Sequence, residues 1–310
     1  MAETPFPLTR LEQLPLLIDH EALERAYLPF LLDGEAGDRA WRSDYARRRR
    51  RALTRMIMRV FGLGGRGGKP DGRDARTSGP GRYDVSAGPQ RPAAWSWNDR
   101  RLALDGIAAA RLRAPLLAAV IDWLTPKKVL EVGCGNGINL FALAGHFPEI
   151  AFSGIDTQPN GIDVARKLQA GEEMPPQLAD YIPLEVADAK AFKRIDFVSG
   201  STAALPFADG EFDLVFTVLT VEQLERVRDQ ALAEIARVAS GHALMLEPFR
   251  DANRRGLRRW YALSRSYFRG SIADLARFNL EPVWATDDFP QEAFLGSPLV
   301  LARKRGADKL

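Results

Sequence analysis

Three glycines, Gly133, Gly135 and Gly137, stand between an apolar run and a helix-like segment in VLEVGCGNGINL, Val129 to Leu140. Glycines at such a junction let the backbone turn tightly and approach a ligand where a side chain would collide. The N-terminus of the following helix offers free N–H groups and a partial positive charge to a carboxylate or phosphate. A strand-to-helix turn with no ligand is the alternative, but three alternating glycines exceed what a simple turn needs. The dinucleotide fingerprint G-x-G-x-x-G places its third glycine three positions after the second. Here the third glycine comes two after the second, and Ile138 follows it. Asp156 lies 19 residues beyond Gly137, at the end of the apolar run in FSGIDTQP. A carboxylate there can accept hydrogen bonds from both hydroxyls of a ribose, which points to a nucleoside without choosing one.

Two further features narrow the choice. With Glu131 two residues ahead of Gly133, the loop resembles motif I of the class I S-adenosylmethionine (SAM)-dependent methyltransferases. The stretch GSTAALPFADGEFDLVFTVLTVEQLE, Gly200 to Glu225, resembles a second segment of that family. Its Leu205-Pro206-Phe207 turn, Asp209-Gly210 pair and Phe212-Asp213 step recur in the family's order, and look like the type 11, ubiquinone/menaquinone-biosynthesis and small-molecule branch. The resemblance spans about Leu124 to Glu247 and leaves residues 1–92 uncovered. It implies a Rossmann-like sheet, SAM as cofactor and a small-molecule methyl acceptor. Position by position, it implies that Glu131 orients the methionine amino end and that Gly133, Gly135 and Gly137 face the amino-acid moiety. Asp156 would hold the ribose, Thr157 would lie beside the adenine, Ser201 and Thr202 would meet its edge, and Thr217 would lie near the sulfonium. The family usually carries an acid where this chain has Ser201, and a neutral acceptor binds the adenine amino group more weakly.

Methyl transfer from a sulfonium is an in-line displacement on an already activated electrophile, so alignment and water exclusion matter most. A general base is needed only for a protonated acceptor. His20, His146 and His242 read as packing or surface residues, and Gln223 replaces a histidine frequent in the family. Glu222 is the remaining weak candidate. Cys134 reads as a small filler of the loop, not a nucleophile. No metal site is indicated. The arginine clusters leave an RNA or protein methyltransferase as the second reading, although Thr217-Val218-Leu219-Thr220 stands where an amino-group motif of the Asn-Pro-Pro-Tyr kind would be. A non-catalytic SAM-binding protein is the third.

The elements that position these residues follow from periodicity. Apolar runs at Val129–Val132, Ile150–Ile155, Ile195–Val198, Phe212–Leu219 and Ala243–Glu247 alternate with helical patterns, including Asn160–Gln169 and Val227–Ala239. Such alternation predicts an α/β fold, a doubly wound seven-stranded and mostly parallel sheet. Runs at Glu281–Asp287 and Pro298–Lys304 predict a final pair with one antiparallel strand. The chain of 310 residues divides into a helical accessory region (1–61), a Gly/Pro/Arg-rich segment expected to be a flexible linker (62–92) and the methyltransferase domain (93–310), with inserts near 171–193 and 250–278. A helix is expected from Asn98 to Trp123, using Leu102, Leu104, Ile107, Leu112, Leu116 and Val120. Others are expected where Leu11, Leu14, Leu17 and Ile18 recur, and over the Leu53, Met56, Ile57 and Val60 stripe.

The net charge is only +3, but residues 1–92 hold 17 Lys/Arg against 12 Asp/Glu, or +5, leaving 26 against 28, or −2, for the rest. The run Arg47–Arg51, with Arg55 and Arg59, is expected to form a solvated face opposite that stripe. Nucleic acid or an anionic membrane surface is a less favoured partner for it and for Arg254, Arg255, Arg258 and Arg259. Aromatics at Tyr27, Trp41, Tyr45, Trp95, Trp97, Tyr181, Trp260, Tyr261, Tyr267 and Phe268 could line an acceptor site or pack in a core. One cysteine, no basic-then-apolar leader and no long apolar run make a cytoplasmic protein the expectation.

Overall fold

The computed structural model describes residues 5–16, 18, 20–61, 92–104, 111–265 and 269–307. The segment read as a linker therefore lies outside the described residues except for Pro92, as do Leu17, Ile107, Tyr267 and Phe268. In chain order the helices are α1 (His20–Tyr27), α2 (Gly34–Val60), α3 (Arg113–Leu124), α4 (Ile138–His146), α5 (Pro159–Ala170), α6 (Pro176–Tyr181), α7 (Arg228–Val238) and α8 (Gly256–Arg265). The strands are β1 (Leu31–Leu32), β2 (Ala93–Trp97), β3 (Arg100–Leu104), β4 (Lys128–Val132), β5 (Ala151–Asp156), β6 (Asp196–Ser199), β7 (Phe212–Val218), β8 (Ala239–Leu246), β9 (Leu280–Thr286), β10 (Gln291–Glu292) and β11 (Leu299–Lys304).

Seven strands form one sheet in the order β6-β5-β4-β7-β8-β11-β9. β4 is parallel to β5 and β7, β5 to β6, and β7 to β8, while β11 runs antiparallel to both β8 and β9. The chain starts at the centre and leaves in both directions, so a switch point falls between β4 and β7. Ligands in such sheets bind beyond the carboxyl ends of the strands at that point. Strand residues alternate between two cores. Val129, Leu214, Phe216, Leu244 and Leu301 enter one, together with α3, α4 and α5. Leu130, Val132, Val215, Met245 and Val300 enter the other, beneath Leu232 and Ile235 of α7. Period-two alternation with both faces apolar is what a covered parallel sheet requires.

The expected helix from Asn98 to Trp123 is only half present. Its first part is the hairpin β2–β3, turning through Asn98 and Asp99 at φ 48° and 60°. Asn and Asp tolerate this left-handed conformation, and β-bridging to β1 and β10 makes a second, four-stranded sheet. Leu102 and Leu104 are buried there, as strand residues with period two. The N-terminal leucines are corrected too: only a 3-10 turn forms at Leu11–Gln13, and the helix begins at His20, because Pro15 cannot continue a helix.

The arginine-rich helix departs from expectation in its apolar stripe and in two of its arginines, while Arg49, Arg50 and Arg51 are exposed as expected. Leu53 and Ile57 are 42% and 56% exposed, whereas Arg47 and Arg48 lean inward to Asp44. Arg48 Nε lies 2.9 Å from Asp44 Oδ2 and its Nη1 2.7 Å from Glu292 of β10, Arg47 also pairs with Asp44, and the Ala94 N–H donates to Asp44 Oδ2 at 3.0 Å. One buried carboxylate thereby ties α2 to the small sheet, and it sets which side of α2 faces in. We expect Asp44→Ala to leave two half-buried guanidinium groups short of a partner and to destabilise the protein by about 3 kcal/mol, read as a lowered Tm with unchanged far-ultraviolet dichroism.

Candidate functional site

The loop after β4 is built by three left-handed residues: Gly133, Gly135 and Gly137 have φ of 79°, 57° and 78°. Two of them are also required by space. A Cβ on Gly133 would stand 2.2 Å from the Thr220 side chain, and one on Gly137 would stand 2.6 Å from the Phe197 ring. Gly135 differs, since a Cβ there would meet nothing within 4 Å. The loop is pinned to the neighbouring strand, with the Gly133 and Cys134 N–H groups both donating to the Ile155 carbonyl at 2.7 and 3.1 Å. Asp156, at the end of β5, completes the clasp: its Oδ2 accepts from the Gly135 N–H at 2.8 Å and its Oδ1 from the Gln158 N–H at 2.7 Å. Helix α5 presses in with Gly161, where a Cβ would lie 2.8 Å from the Gly135 carbonyl.

Glu131 is 1% exposed on β4. Its Oε1 accepts from the Asn139 amide at 2.6 Å, while its Oε2 is buried without a partner. Burial pushes its pKa up to about 8, against a lowering by the Asn139 hydrogen bond. Cys134 is buried beside it, and burial raises its thiol well above the ordinary value, which makes it a packing residue and a poor nucleophile.

Beyond β7 the chain passes through Leu219 in a left-handed conformation (φ 52°) into a 3-10 turn, Val221–Gln223. Glu247, just past β8 and fully buried, holds this turn. Its Oε1 accepts from the N–H groups of Thr220 and Val221 at 2.8 and 3.0 Å, and its Oε2 from Glu222 at 3.1 Å. Burial raises its pKa to about 7 even though those N–H donors favour the anion. Thr220 in turn donates its hydroxyl to the Gly133 carbonyl at 3.3 Å, joining the turn to the glycine loop. The sequence reading missed Glu247. A lone acid ending an apolar strand in LMLEPF carried the signal, because a buried carboxylate at a strand end must find donors.

The strand order brings Glu131, the three glycines, Asp156, Ser201, Thr202 and Thr217 to the same edge of the sheet. Thr217 and Thr202 are buried, whereas Thr157 and Ser201 are exposed, the Ser201 hydroxyl accepting from the Ala203 N–H at 3.2 Å. Glu222 is buried in the turn that Glu247 holds. The histidines stand apart: His146 ends α4 with Nδ1 2.8 Å from the Glu185 carbonyl, His20 meets Trp97 edge-on, and His242 is half-buried in β8. Of the aromatics, Tyr27, Trp95, Tyr181 and Tyr261 are buried, while Trp260 is 45% exposed. Among the described residues, no three His, Cys, Asp or Glu side chains are grouped to hold a metal ion.

Residues 130–245 match the methyltransferase-domain family. The matched segment runs from β4 to β8, the strands that carry the glycine loop and Asp156. The chain is 32% identical over 112 residues to a fatty-acid O-methyltransferase of Mycolicibacterium smegmatis, covering 36% of this chain and 33% of that protein. The chain is also 29% identical over 149 residues to a ubiquinone/menaquinone biosynthesis C-methyltransferase of Dinoroseobacter shibae, covering 47% and 52%, and 26% identical over 121 residues to an ajmaline N-methyltransferase of Rauvolfia serpentina, covering 39% and 35%. The chain thus spans between about a third and a half of the length of these relatives. A solved SAM-dependent methyltransferase of Methanosarcina mazei aligns with a TM-score of 0.40 at 14% identity, over 57% of this chain and 92% of that one.

The chemistry of the site fits SAM as a cofactor. The orphaned Oε2 of Glu131 calls for a cation of the ammonium kind, and the open space over Gly135 is where a side chain would otherwise stand.

Two outcomes follow from this geometry. Gly135→Ala should cost only the left-handed strain, about 1–2 kcal/mol, yet lose calorimetric binding of S-adenosylhomocysteine, whereas Gly133→Ala should compromise folding through its overlap with Thr220. Because Glu131 and Glu247 titrate near 8 and 7 when folded but near 4.5 unfolded, the native state binds more protons between those values. Stability of the ligand-free protein should therefore fall as pH rises from about 4.5 to about 8, and Glu131→Gln should flatten the upper part of that fall in a Tm-against-pH series.

Proposed function

We propose that the protein transfers the methyl group of SAM to a small-molecule acceptor at the carboxyl edge of β4, β5 and β7. The observation that carries the reading is the clasp between Asp156 and Gly135. Each Asp156 oxygen accepts one backbone N–H and keeps a lone pair, so the carboxylate can take two ribose hydroxyls while held against the loop. Glu131 would give its unpartnered oxygen to the methionine ammonium. The amide end of α4, which no side chain caps, would face the methionine carboxylate.

Thr157, Ser201 and Thr202 would border the adenine, and Thr217 the sulfonium. When bound, SAM supplies an activated methyl group, and the chain's own work is alignment and water exclusion. Glu247 acts as a positioning residue, fixing the Thr220–Glu222 turn beside the loop. Glu222, held in that turn, is the candidate to take a proton from an acceptor that arrives protonated. A small-molecule acceptor is the class named for the three curated relatives: an alkaloid, a fatty acid and a quinone precursor's pathway.

The domain of 93–310 would carry the chemistry, with residues 1–61 as its accessory region. Incubation of the purified chain with methyl-labelled SAM and a metabolite extract should label a low-molecular-weight product. Asp156→Ala should weaken S-adenosylhomocysteine binding roughly ten- to a hundredfold, as expected for loss of a hydrogen bond to a charged group. Absence of S-adenosylhomocysteine binding by the unmodified protein would overturn the reading.

A further inference from the structure

Two adjacent helices outside the catalytic sheet present apolar side chains to solvent among arginines. On α2 the inward side is Tyr45, Arg48 and Ala52, packed around Phe294 and Tyr261. The opposite side carries Leu53 and Ile57, and Phe61 follows just past the helix end with its N–H on the Ile57 carbonyl, the three at intervals of four residues and 42%, 56% and 70% exposed. Arg49, Arg50 and Arg51 are exposed beside them. α8 packs its Tyr261 and Ala262 into the same small core as Ala52 and turns Trp260 and Leu263 outward, with Arg255 and Arg259 exposed on the same helix or just before it.

Apolar surface that recurs along a helix, flanked by cations and remote from the core, is the pattern of a helix lying in the interface of a bilayer. We propose that α2 and α8 dock this protein on an anionic lipid surface. The choice of partner follows from chemistry. Five exposed guanidinium groups would attract lipid phosphates, each raising partition roughly fivefold at low salt. Leu53, Ile57, Phe61 and Leu263 have no use for a nucleic-acid backbone, but they match the acyl boundary, where Trp260 would sit with its indole at headgroup depth. No described helix is long and apolar enough to cross a membrane, so the contact is peripheral.

The full chain should co-sediment with vesicles of phosphatidylcholine containing roughly a third phosphatidylglycerol and much less with phosphatidylcholine alone, and the bound fraction should fall as salt shortens the screening length. Leu53→Glu with Ile57→Glu should cut vesicle binding at least about tenfold, while leaving the dichroism melt and S-adenosylhomocysteine binding unchanged because both residues are exposed. Tryptophan emission should shift to the blue on anionic vesicles, and Trp260→Phe should remove most of that shift. The proposal fails if neither vesicle binds the protein. It also fails if the double variant binds vesicles as well as the parent, if that variant instead dissociates a dimer seen by sedimentation velocity, or if an RNA oligonucleotide binds in preference to the vesicles. These outcomes are separate from methyl transfer, which the labelled-SAM experiment reads.

Discussion

The turn from Val132 to Ile138 has to reverse the chain at the edge of a fully covered sheet, and it does so through three left-handed glycines. Around that turn everything else is fitted. The Ile155 carbonyl takes two of its N–H groups, Asp156 takes a third, Thr220 fills the space over Gly133, and Phe197 lies against Gly137. Gly161 lets α5 close on the Gly135 carbonyl. These neighbours come from β5, β6, α5 and the turn after β7, so a side chain at Gly133 or Gly137 would have to displace a packed element. Of the three, Gly135 alone has open space over it, which is what the proposed seat for a ligand needs.

Two buried carboxylates bracket the seat and solve different problems. Glu247 accepts three backbone N–H groups and stabilises a turn that carries a left-handed Leu219, a conformation costing on the order of 1–2 kcal/mol for a residue with a side chain. Glu131 has one donor only, and burial holds it in the protonated range at neutral pH. A carboxyl short of donors in a dry site is stabilised by an arriving cation, so proton release would accompany the binding of an ammonium group there.

The N-terminal residues are integrated with the sheet. Leu11, Leu14, Leu16, Leu23 and Tyr27 belong to the same core as β4 and α4, and Arg111 links the Ala26 carbonyl to those of Asp180 and Tyr181, joining α1 to α6. Through Asp44 the long α2 is then fixed to the small sheet, and this orientation turns its second apolar stripe outward.

Much of the catalytic sheet was legible from Val129, Phe212 and their neighbours, because strands buried on both faces need unbroken apolar runs, and a glycine-rich loop has few structural uses. The spacing of Gly133, Gly135 and Gly137, Asp156 and the Leu205-Pro206-Phe207 turn marks the carboxyl edge of that sheet for the same reason: local backbone demands are written in adjacent residues. The hairpin at Ala93–Leu104 and the facing of α2 were not legible. Leu102 and Leu104 stand at strand spacing, but Leu104 and Ile107 also stand at helical spacing, and only pairing with β1 and β10 selects the strand. Likewise, Leu53 and Ile57 look like a buried stripe until Asp44, nine residues before Leu53 on the same helix, claims Arg47 and Arg48 for the inside. Local backbone chemistry in adjacent residues sets the sheet and its loop, whereas the role of Glu247, the small sheet and the outward face of α2 rest on tertiary contacts: Glu247 holds a turn more than two dozen residues before it, β2 and β3 need β10 and β1, and Asp44 and Arg48 dock on Ala94 and Glu292 of the small sheet.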